Sequence, residues 1–376
     1  MGRSVDAFLD DRTVADAVLA HVRDGTTDRG DEVWREPVAA YRSSERLDAE
    51  LRRVLRRTPT PFCPSAALPG PGSFLAREAA GIPLLVVRGD DGRVRAFRNA
   101  CRHRGNELAS GTGCSRAFVC GYHGWTYGLD GALRHVPHAA GFPDLSREKH
   151  GLVPVMAEEQ RGLVFVTQEP CAPSAEPWHG LPPLIASDQA LLDARSLEVG
   201  VNWKIHLEGF LEGYHIRPTH PESFYPYGYD NLNLIELCGR NSRVTFPFRR
   251  IEKLASVPPA ERRVDGLLTY VYHLFPNALV TVLSRHTNLV VLEPLAVDRT
   301  RLHTYTLTNR DLGAEGVESA RRDATFVNQS GAAEDLAVVL AIQRGLASGA
   351  NECFTFGHFE SAIVHFHRNL AAALGD

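Results

Sequence analysis

Apolar residues in the first 57 positions recur at helical spacing: Val14, Ala17 and Val18, then Leu47, Leu51, Val54 and Leu55. Residues 1–57 are therefore predicted as a helical segment. From about Thr58 the period shortens, and glycine and proline punctuate short β-rich runs. Gly81-Ile-Pro-Leu-Leu-Val-Val-Arg88 and Val94-Arg-Ala-Phe-Arg98 flank Asp91-Gly92, a hairpin signal. Leu129-Asp-Gly131 marks another hairpin, and Gly162–Thr167 reads as a closing strand, so residues 58–168 are predicted as a small all-β domain. A linker rich in Pro and Ala runs from Glu169 to about Pro183. Beyond it, Asn202-Trp-Lys204 opens a stretch that reads as helical through Tyr214. Antiparallel strands are expected at Leu267–Phe275, Ala278–Ser284, Asn288–Leu295 and Arg301–Asn309, with a turn at Pro276-Asn277. Helices at Glu334–Leu346 and Glu360–Leu374 end the chain. The expected fold class is α+β: a small all-β domain, then a twisted antiparallel sheet gripped by helices over residues 184–376.

Bulk numbers add limits. A chain of 376 residues suits two domains, and 44% hydrophobic content is ordinary for full cores. Net charge is −4, with no basic stripe interleaved with aromatics, so no nucleic-acid partner is expected. No apolar run is long enough to span a bilayer, and the acidic N-terminus lacks the apolar core of a signal peptide. The strongest basic cluster, Leu51-Arg-Arg-Val-Leu-Arg-Arg57, reads as a solvated helix face, with a docking patch for an acidic redox partner as the alternative.

The chemistry begins at Cys101-Arg-His103, a gap of 16, and Cys120-Gly-Tyr-His123. Cys-x-His…Cys-x-x-His supplies what a Rieske centre needs: two thiolates on one iron of a [2Fe–2S] cluster and two imidazoles on the other. Zinc fingers also use two Cys and two His, but pair like with like. Here each loop carries one of each, and glycines follow the ligands at Gly105 and Gly124. The other cysteines, Cys63, Cys114, Cys171, Cys238 and Cys353, are odd in number and widely spaced, which suits a reducing cytosol rather than a disulfide framework.

A second constellation follows in Glu208-Gly-Phe-Leu-Glu212-Gly-Tyr-His215-Ile-Arg-Pro-Thr-His220. Non-haem ferrous oxygenases hold iron with two histidines and one carboxylate, leaving positions open. Proline disfavours helix at the residue before it, so His215 is expected on a last helical turn and His220 beyond a bend at Pro218. Glu212, three residues before His215, shares its helix face in that reading and fixes its tautomer by a hydrogen bond.

On these residues the chain resembles the α-subunit, or oxygenase component, of Rieske non-haem iron oxygenases, the ring-hydroxylating family. Further pieces of the resemblance are Phe97-Arg-Asn-Ala100, Tyr122-His-Gly-Trp125, Asn202-Trp-Lys204, Glu334-Asp335, Gln343-Arg-Gly345 and Phe366-His-Arg368. The resemblance implies a [2Fe–2S] cluster on Cys101, His103, Cys120 and His123, and a mononuclear ferrous ion on His215, His220 and a late carboxylate. Asp335 is the choice for that carboxylate, with its neighbour Glu334 the alternative. It also implies a homotrimer, in which Glu212 bridges His215 to His123 of the next subunit. Most members carry Asp at the bridge. Glu is similar to the carnitine and other quaternary-ammonium monooxygenases, and points to monooxygenation over cis-dihydroxylation. Gly209 stands where many members have Asn. The implied activity is O₂-dependent hydroxylation or demethylation of a small organic substrate in the cytoplasm. Electrons would come from a separate flavin reductase, with or without a ferredoxin, since no GxGxxG fingerprint is present.

The rival readings are a Rieske electron carrier and an oxygenase-like subunit without catalysis. A carrier has no use for the long segment after the cluster domain, and the intact His215, His220 and Asp335 argue against lost iron. His206, His135, His138, His273 and His286 read as structural. The aromatic run Phe224–Tyr229 reads as a plain loop, with a cage for a cationic ammonium as the sharper alternative.

Overall fold

Short β-rich runs and longer helical ones separate into two compact units, Arg56–Pro173 and Met1–Leu55 with Ser174–Asp376. The computed structural model describes residues 3–169, 178–309 and 313–375; Cys171 and most of the Glu169–Pro183 linker lie outside the described residues. The mixed architecture is α+β, with antiparallel sheets throughout both units apart from one short parallel pairing.

The smaller unit is built on a seven-stranded antiparallel sheet. Its order is Thr60–Pro64, Leu163–Thr167, Pro154–Gln160, Val94–Arg98, Ile82–Arg88, Ser73–Ala79 and Gly111–Cys114. Phe118–Val119, Thr126–Tyr127 and Leu133–His135 form a second, three-stranded sheet. Leu85, Val87, Phe97, Trp125, Tyr127 and Leu133 pack into one core, which also takes in Cys101 and Cys120. Gly131 illustrates why the hairpin turns need glycine. Its φ is +80°, and a Cβ there would overlap the Phe97 ring.

The larger unit carries the strands Leu234–Cys238, Asn241–Pro247, Leu268–Leu274, Ala278–Val282, His286–Ala296 and Arg299–Thr308, each hydrogen-bonded antiparallel to the next. Leu191–Val199 closes one edge beside Arg299–Thr308, and Arg3–Ser4 pairs in parallel at the other. The closing helix Ser361–Leu374 buries Ile363, Phe366 and Leu370 in a core shared with Trp203, Val244, Val271 and Phe275. Gly313–Gln329 and Gly331–Gly345 are the other long helices of this half.

The N-terminal segment is less helical than its pattern predicts. Asp11–Asp24 is a helix, capped by the Asp10 carboxylate at the Thr13 N–H (2.8 Å) and ended by Gly25 in the left-handed region. Trp34–Pro37, however, is a strand whose partner, Cys353–Phe356, lies far along the chain. Such a pairing leaves no local period to read. After Ser44–Ala49 the helix widens into a π-helical stretch, Glu50–Leu55. Glu50 is fully buried and takes Lys204 Nζ at 2.6 Å and Trp203 Nε1 at 2.9 Å. A buried pair of this kind fixes register more than it adds stability. Here it fastens the N-terminal segment to the helix that leads into the iron motif. The basic cluster is partly consumed by structure: Arg52 pairs with Asp48, Arg53 donates to the Leu374 carbonyl, and Arg56 donates to the Ala80 carbonyl.

Candidate metal centres

The two Cys/His loops are built alike. Cys101 N–H donates to the Asn106 carbonyl at 2.8 Å and Gly105 N–H to the Cys101 carbonyl at 2.9 Å. In the second loop, Cys120 N–H donates to Trp125 at 2.8 Å and Gly124 N–H to Cys120 at 2.9 Å. Both turns close on a glycine at positive φ, +76° at Gly105 and +75° at Gly124. The sulfurs sit at the base of each loop, with both cysteines 3% exposed. The imidazoles sit at the tips. His103 and His123 have ring centroids 4.6 Å apart, and Trp125 lies flat against His103 at 4.9 Å. Burial opposes ionisation of Cys120, but N–H groups of Tyr122 and His123 and contacts from Cys101 and Asn106 outweigh it and hold its thiol below the usual value. Tyr127 Oη lies 3.3 Å from Cys101 Sγ and accepts the Arg102 N–H at 2.9 Å. This donor set fits a [2Fe–2S] cluster: thiolate-stabilising amides at the base and a close pair of imidazoles outside. None of the described cysteines is in a disulfide, and Cys114 alone among them is exposed.

The second constellation differs locally from the expected long helix. Trp203–Glu208 is a short helix, capped at Asn202. The chain turns at Gly209–Gly213, where Asn233 presses so close to Gly213 that no side chain fits. Helix resumes only at Ile216–Thr219. Pro218 sits inside this single turn, where its missing N–H has no intrahelical partner to lose. His215 and His220 thus flank a four-residue helix, and Glu212 lies in the turn before it rather than on its face.

Glu212 nevertheless reaches His215. Its Oε1 contacts His215 Nδ1 at very short range, and Oε2 accepts the N–H groups of Tyr214 and His215. On the other histidine, Nδ1 of His220 lies 2.7 Å from Glu334 Oε2, which also accepts the Ser223 hydroxyl. Each imidazole therefore has one nitrogen committed to a carboxylate. The opposite nitrogens face Asp335, whose Oδ1 lies 3.6 Å from His215 Nε2 and 2.8 Å from His220 Nε2. Ligand atoms of His215, His220 and Asp335 all lie within 4.8 Å of one another. Nε2 of His220 is buried, and Asp335 Oδ1 is the group that faces it, at 2.8 Å. Burial pulls both histidine pKa values down, yet the carboxylates around them win and raise both. Two imidazoles drawn toward protonation by surrounding acids mark a place that favours positive charge, and a divalent ion fits it.

Glu334 lies in the first turn of Gly331–Gly345, and Asp335 follows it at the start of the second. The sequence left open which of them faces the histidine pair, and the geometry puts them on opposite nitrogens of His220. The pairing of Glu334 with the His220 ring, and of Ser223 with Glu334, carried no signal as such, because neither spacing nor periodicity marks contacts across 114 and 111 residues. His206 is buried in the helix Trp203–Glu208; burial drives it down to about 4 against the pull of Asp335, and it stands outside the ligand trio. His273 is likewise pushed down to about 4 by burial. His286 pairs with Asp323 at 2.9 Å, and His135 and His138 are exposed.

A cavity of about 560 Å³ opens onto the trio. His215, His220 and Asp335 line it beside Gly209, Phe210, Val271 and Leu283. At Gly209 a Cβ would meet only ordinary contacts, so its lack of side chain widens the space next to the ligands.

Comparison with known proteins follows the same division. The Ring hydroxylating alpha subunit (catalytic domain) family matches residues 189–376, and the Rieske [2Fe-2S] domain matches residues 58–151. The carnitine monooxygenase oxygenase subunit of Escherichia coli (strain K12) is 28% identical over 372 residues, covering 92% of this chain and 95% of the relative. The glycine betaine monooxygenase oxygenase subunit of Chromohalobacter salexigens is 31% identical over 230 residues, 58% of this chain and 51% of the relative. Among solved structures, the quaternary ammonium Rieske monooxygenase CntA in complex with an inhibitor aligns with a TM-score of 0.79 at 23% identity, covering 90% of this chain and 95% of that one.

Proposed function

Because the chain belongs to the ring-hydroxylating alpha subunit family and joins a Rieske [2Fe–2S] domain to a mononuclear-iron catalytic domain, it is the oxygenase component of a multicomponent Rieske oxygenase, and we propose the residues through which it acts. Cys101, His103, Cys120 and His123 hold the cluster; His215, His220 and Asp335 hold the iron. When bound, the cluster passes single electrons and the ferrous site activates O₂ for insertion into a small organic substrate. Glu212 holds the proton on His215 Nδ1, keeps that ring in one tautomer, and serves as the bridge for electrons. Glu334 does the same for His220. The apolar cavity orients the substrate and excludes water. Hydroxylation or demethylation is the reaction class, and Glu at the bridge favours monooxygenation.

Electrons are supplied by a separate flavin reductase, with or without a ferredoxin. The working assembly is a homotrimer in the cytoplasm. The exposed His123 and Tyr122 at one tip, and the 60% exposed Tyr214 beside Glu212, support a subunit contact at these surfaces. No helix among the described residues is long and apolar enough to cross a membrane.

The observation that carries this reading is the convergence of His215, His220 and Asp335 within 4.8 Å beside the cavity. Metal analysis tests it. His215→Ala and Asp335→Ala are expected to lose the mononuclear iron and O₂ consumption while the cluster absorbance survives. Full iron content in Asp335→Ala would move the third ligand elsewhere.

A further inference from the structure

The charge around the cavity is lopsided in a way that bears on its substrate. Among the described lining residues, two are carboxylates. Asp335 belongs to the ligand trio, and Asp323 is paired with His286 at 2.9 Å. No acid is left to neutralise a cationic ligand. The positive side chains are Arg249 and Arg250, both exposed, and neither has an ion-pair partner among the described residues.

These arginines also occupy the aromatic surfaces that a cation would use. The Arg249 guanidinium lies 5.4 Å from the ring centroids of both Tyr225 and Tyr229, and that of Arg250 lies 4.8 Å from Phe248. Phe224 is turned to His220, with centroids 4.8 Å apart. Within the run Phe224–Tyr229, Tyr225 and Tyr229 are thus already covered by a cation of the chain itself. Arg249 is anchored at its backbone, whose N–H donates to the Tyr227 carbonyl at 2.8 Å, and the Arg250 guanidinium is held directly, its Nη2 donating to Ser284 Oγ at 2.9 Å. A fixed guanidinium with spare donors is the usual recognition element for a carboxylate.

We propose that the cavity takes a small apolar carboxylic acid, its anionic end held by Arg249 and Arg250 and its body packed on Phe210, Phe246 and Val271 near the histidines. This rests on reading the cavity as the oxygenase's substrate pocket; carnitine and glycine betaine, named for the similar monooxygenases, also carry a carboxylate, so the departure lies in an uncharged apolar body where those molecules have an ammonium. A cationic body would meet two like charges at the entrance and no free counter-charge inside.

The test is calorimetric titration of the full, metal-loaded chain without O₂ or reductant, using 3-phenylpropanoate, 3-phenylpropanamide and γ-butyrobetaine. The acid is expected to bind roughly tenfold tighter than the amide, and more tightly than the betaine. Arg249→Gln with Arg250→Gln is expected to remove that preference for the acid and leave the amide within about twofold, while Arg249→Lys restores part of it. Raised salt is expected to weaken the acid alone. Equal binding of acid and amide, tighter binding of the betaine, no response to the arginine changes, or no binding of any probe would overturn the inference. His215→Ala separates the two readings. Loss of iron and O₂ uptake with acid binding intact upholds the arginine site and the ligand assignment, loss of acid binding together with the iron overturns the arginine site, and retained iron removes His215 from the ligand set without touching the arginine site.

Discussion

At the level of single residues, the two histidines proposed to hold the iron are held by matching means. Glu212 takes Nδ1 of His215, and Glu334 takes Nδ1 of His220, so both rings turn their Nε2 atoms toward Asp335. The two carboxylates are expected to separate on substitution because their further contacts differ. Glu334→Gln weakens the orientation of a ligand ring, and about 10–100-fold weaker iron binding is expected from equilibrium dialysis against a chelator. Glu212→Gln is expected to keep both metal centres. It should slow single-turnover oxidation of the reduced cluster, with substrate and O₂ present, by about tenfold or more, the size of a lost hydrogen bond to a charged group worth roughly 1.5–3 kcal/mol. An unchanged rate would remove Glu212 from the electron path. Residue chemistry was the most legible part of this chain. Cys-x-His and His-x4-His spacings are dictated by ligand geometry and survive in the sequence whatever the local backbone does. The carboxylate pairings were half legible: Glu212 lies three residues from its histidine, whereas Glu334 reaches His220 across 114 residues.

At the level of elements, the ligand helix and the ligand loop are locked by one aromatic ring. Phe224, four residues after His220, lies under the start of Gly331–Gly345, and a Cβ at Gly331 would overlap its ring. Gly331→Ala is therefore expected to displace the helix start. Iron content should fall with little loss of cluster absorbance, and Phe224→Leu should restore part of the iron by making room; retained iron in Gly331→Ala alone would contradict this. Four of the eight strands of the larger sheet were readable to within a few residues, as at Ala278–Val282 and Arg299–Thr308, because a sheet partly buried on both faces concentrates branched residues, whereas Leu191–Val199, Leu234–Cys238 and Asn241–Pro247 were not read as strands. The region from Asn202 to His220 was not. Apolar spacing suggested one helix, but Gly209 and Gly213 break it into two short pieces with a turn between. The break is what lets Glu212 bend back onto His215. Trp34–Pro37 escaped for the opposite reason, since its only partner strand lies some three hundred residues away.

At the level of the whole molecule, buried histidines set the acid limit of stability. His206 and His273 are buried, and burial pushes each down to about 4. The unfolded chain, with ordinary histidines, binds more protons below pH 6.5. Stability is then complete above that value and falls as pH drops from 6.5 toward 4. Each group contributes about 2 kcal/mol of that loss by pH 5. His273→Gln, which keeps a donor for the Pro276 carbonyl that lies 3.1 Å from His273 Nε2, is expected to shrink the difference in unfolding free energy between pH 7 and pH 5 by about that amount. Denaturant unfolding at the two pH values checks it, and an unchanged difference would show that His273 is charged when folded.

The placing of Glu334 and Asp335 side by side on one helical turn has a wider consequence. One carboxylate aims a ligand ring, and the other completes the ligand trio. Because both ride on the same backbone segment, any fraying of that turn withdraws them together. Partial occupancy in a damaged protein should therefore appear as a mixture of full and empty molecules, not as a uniform population with two histidines gripping a loosened ion.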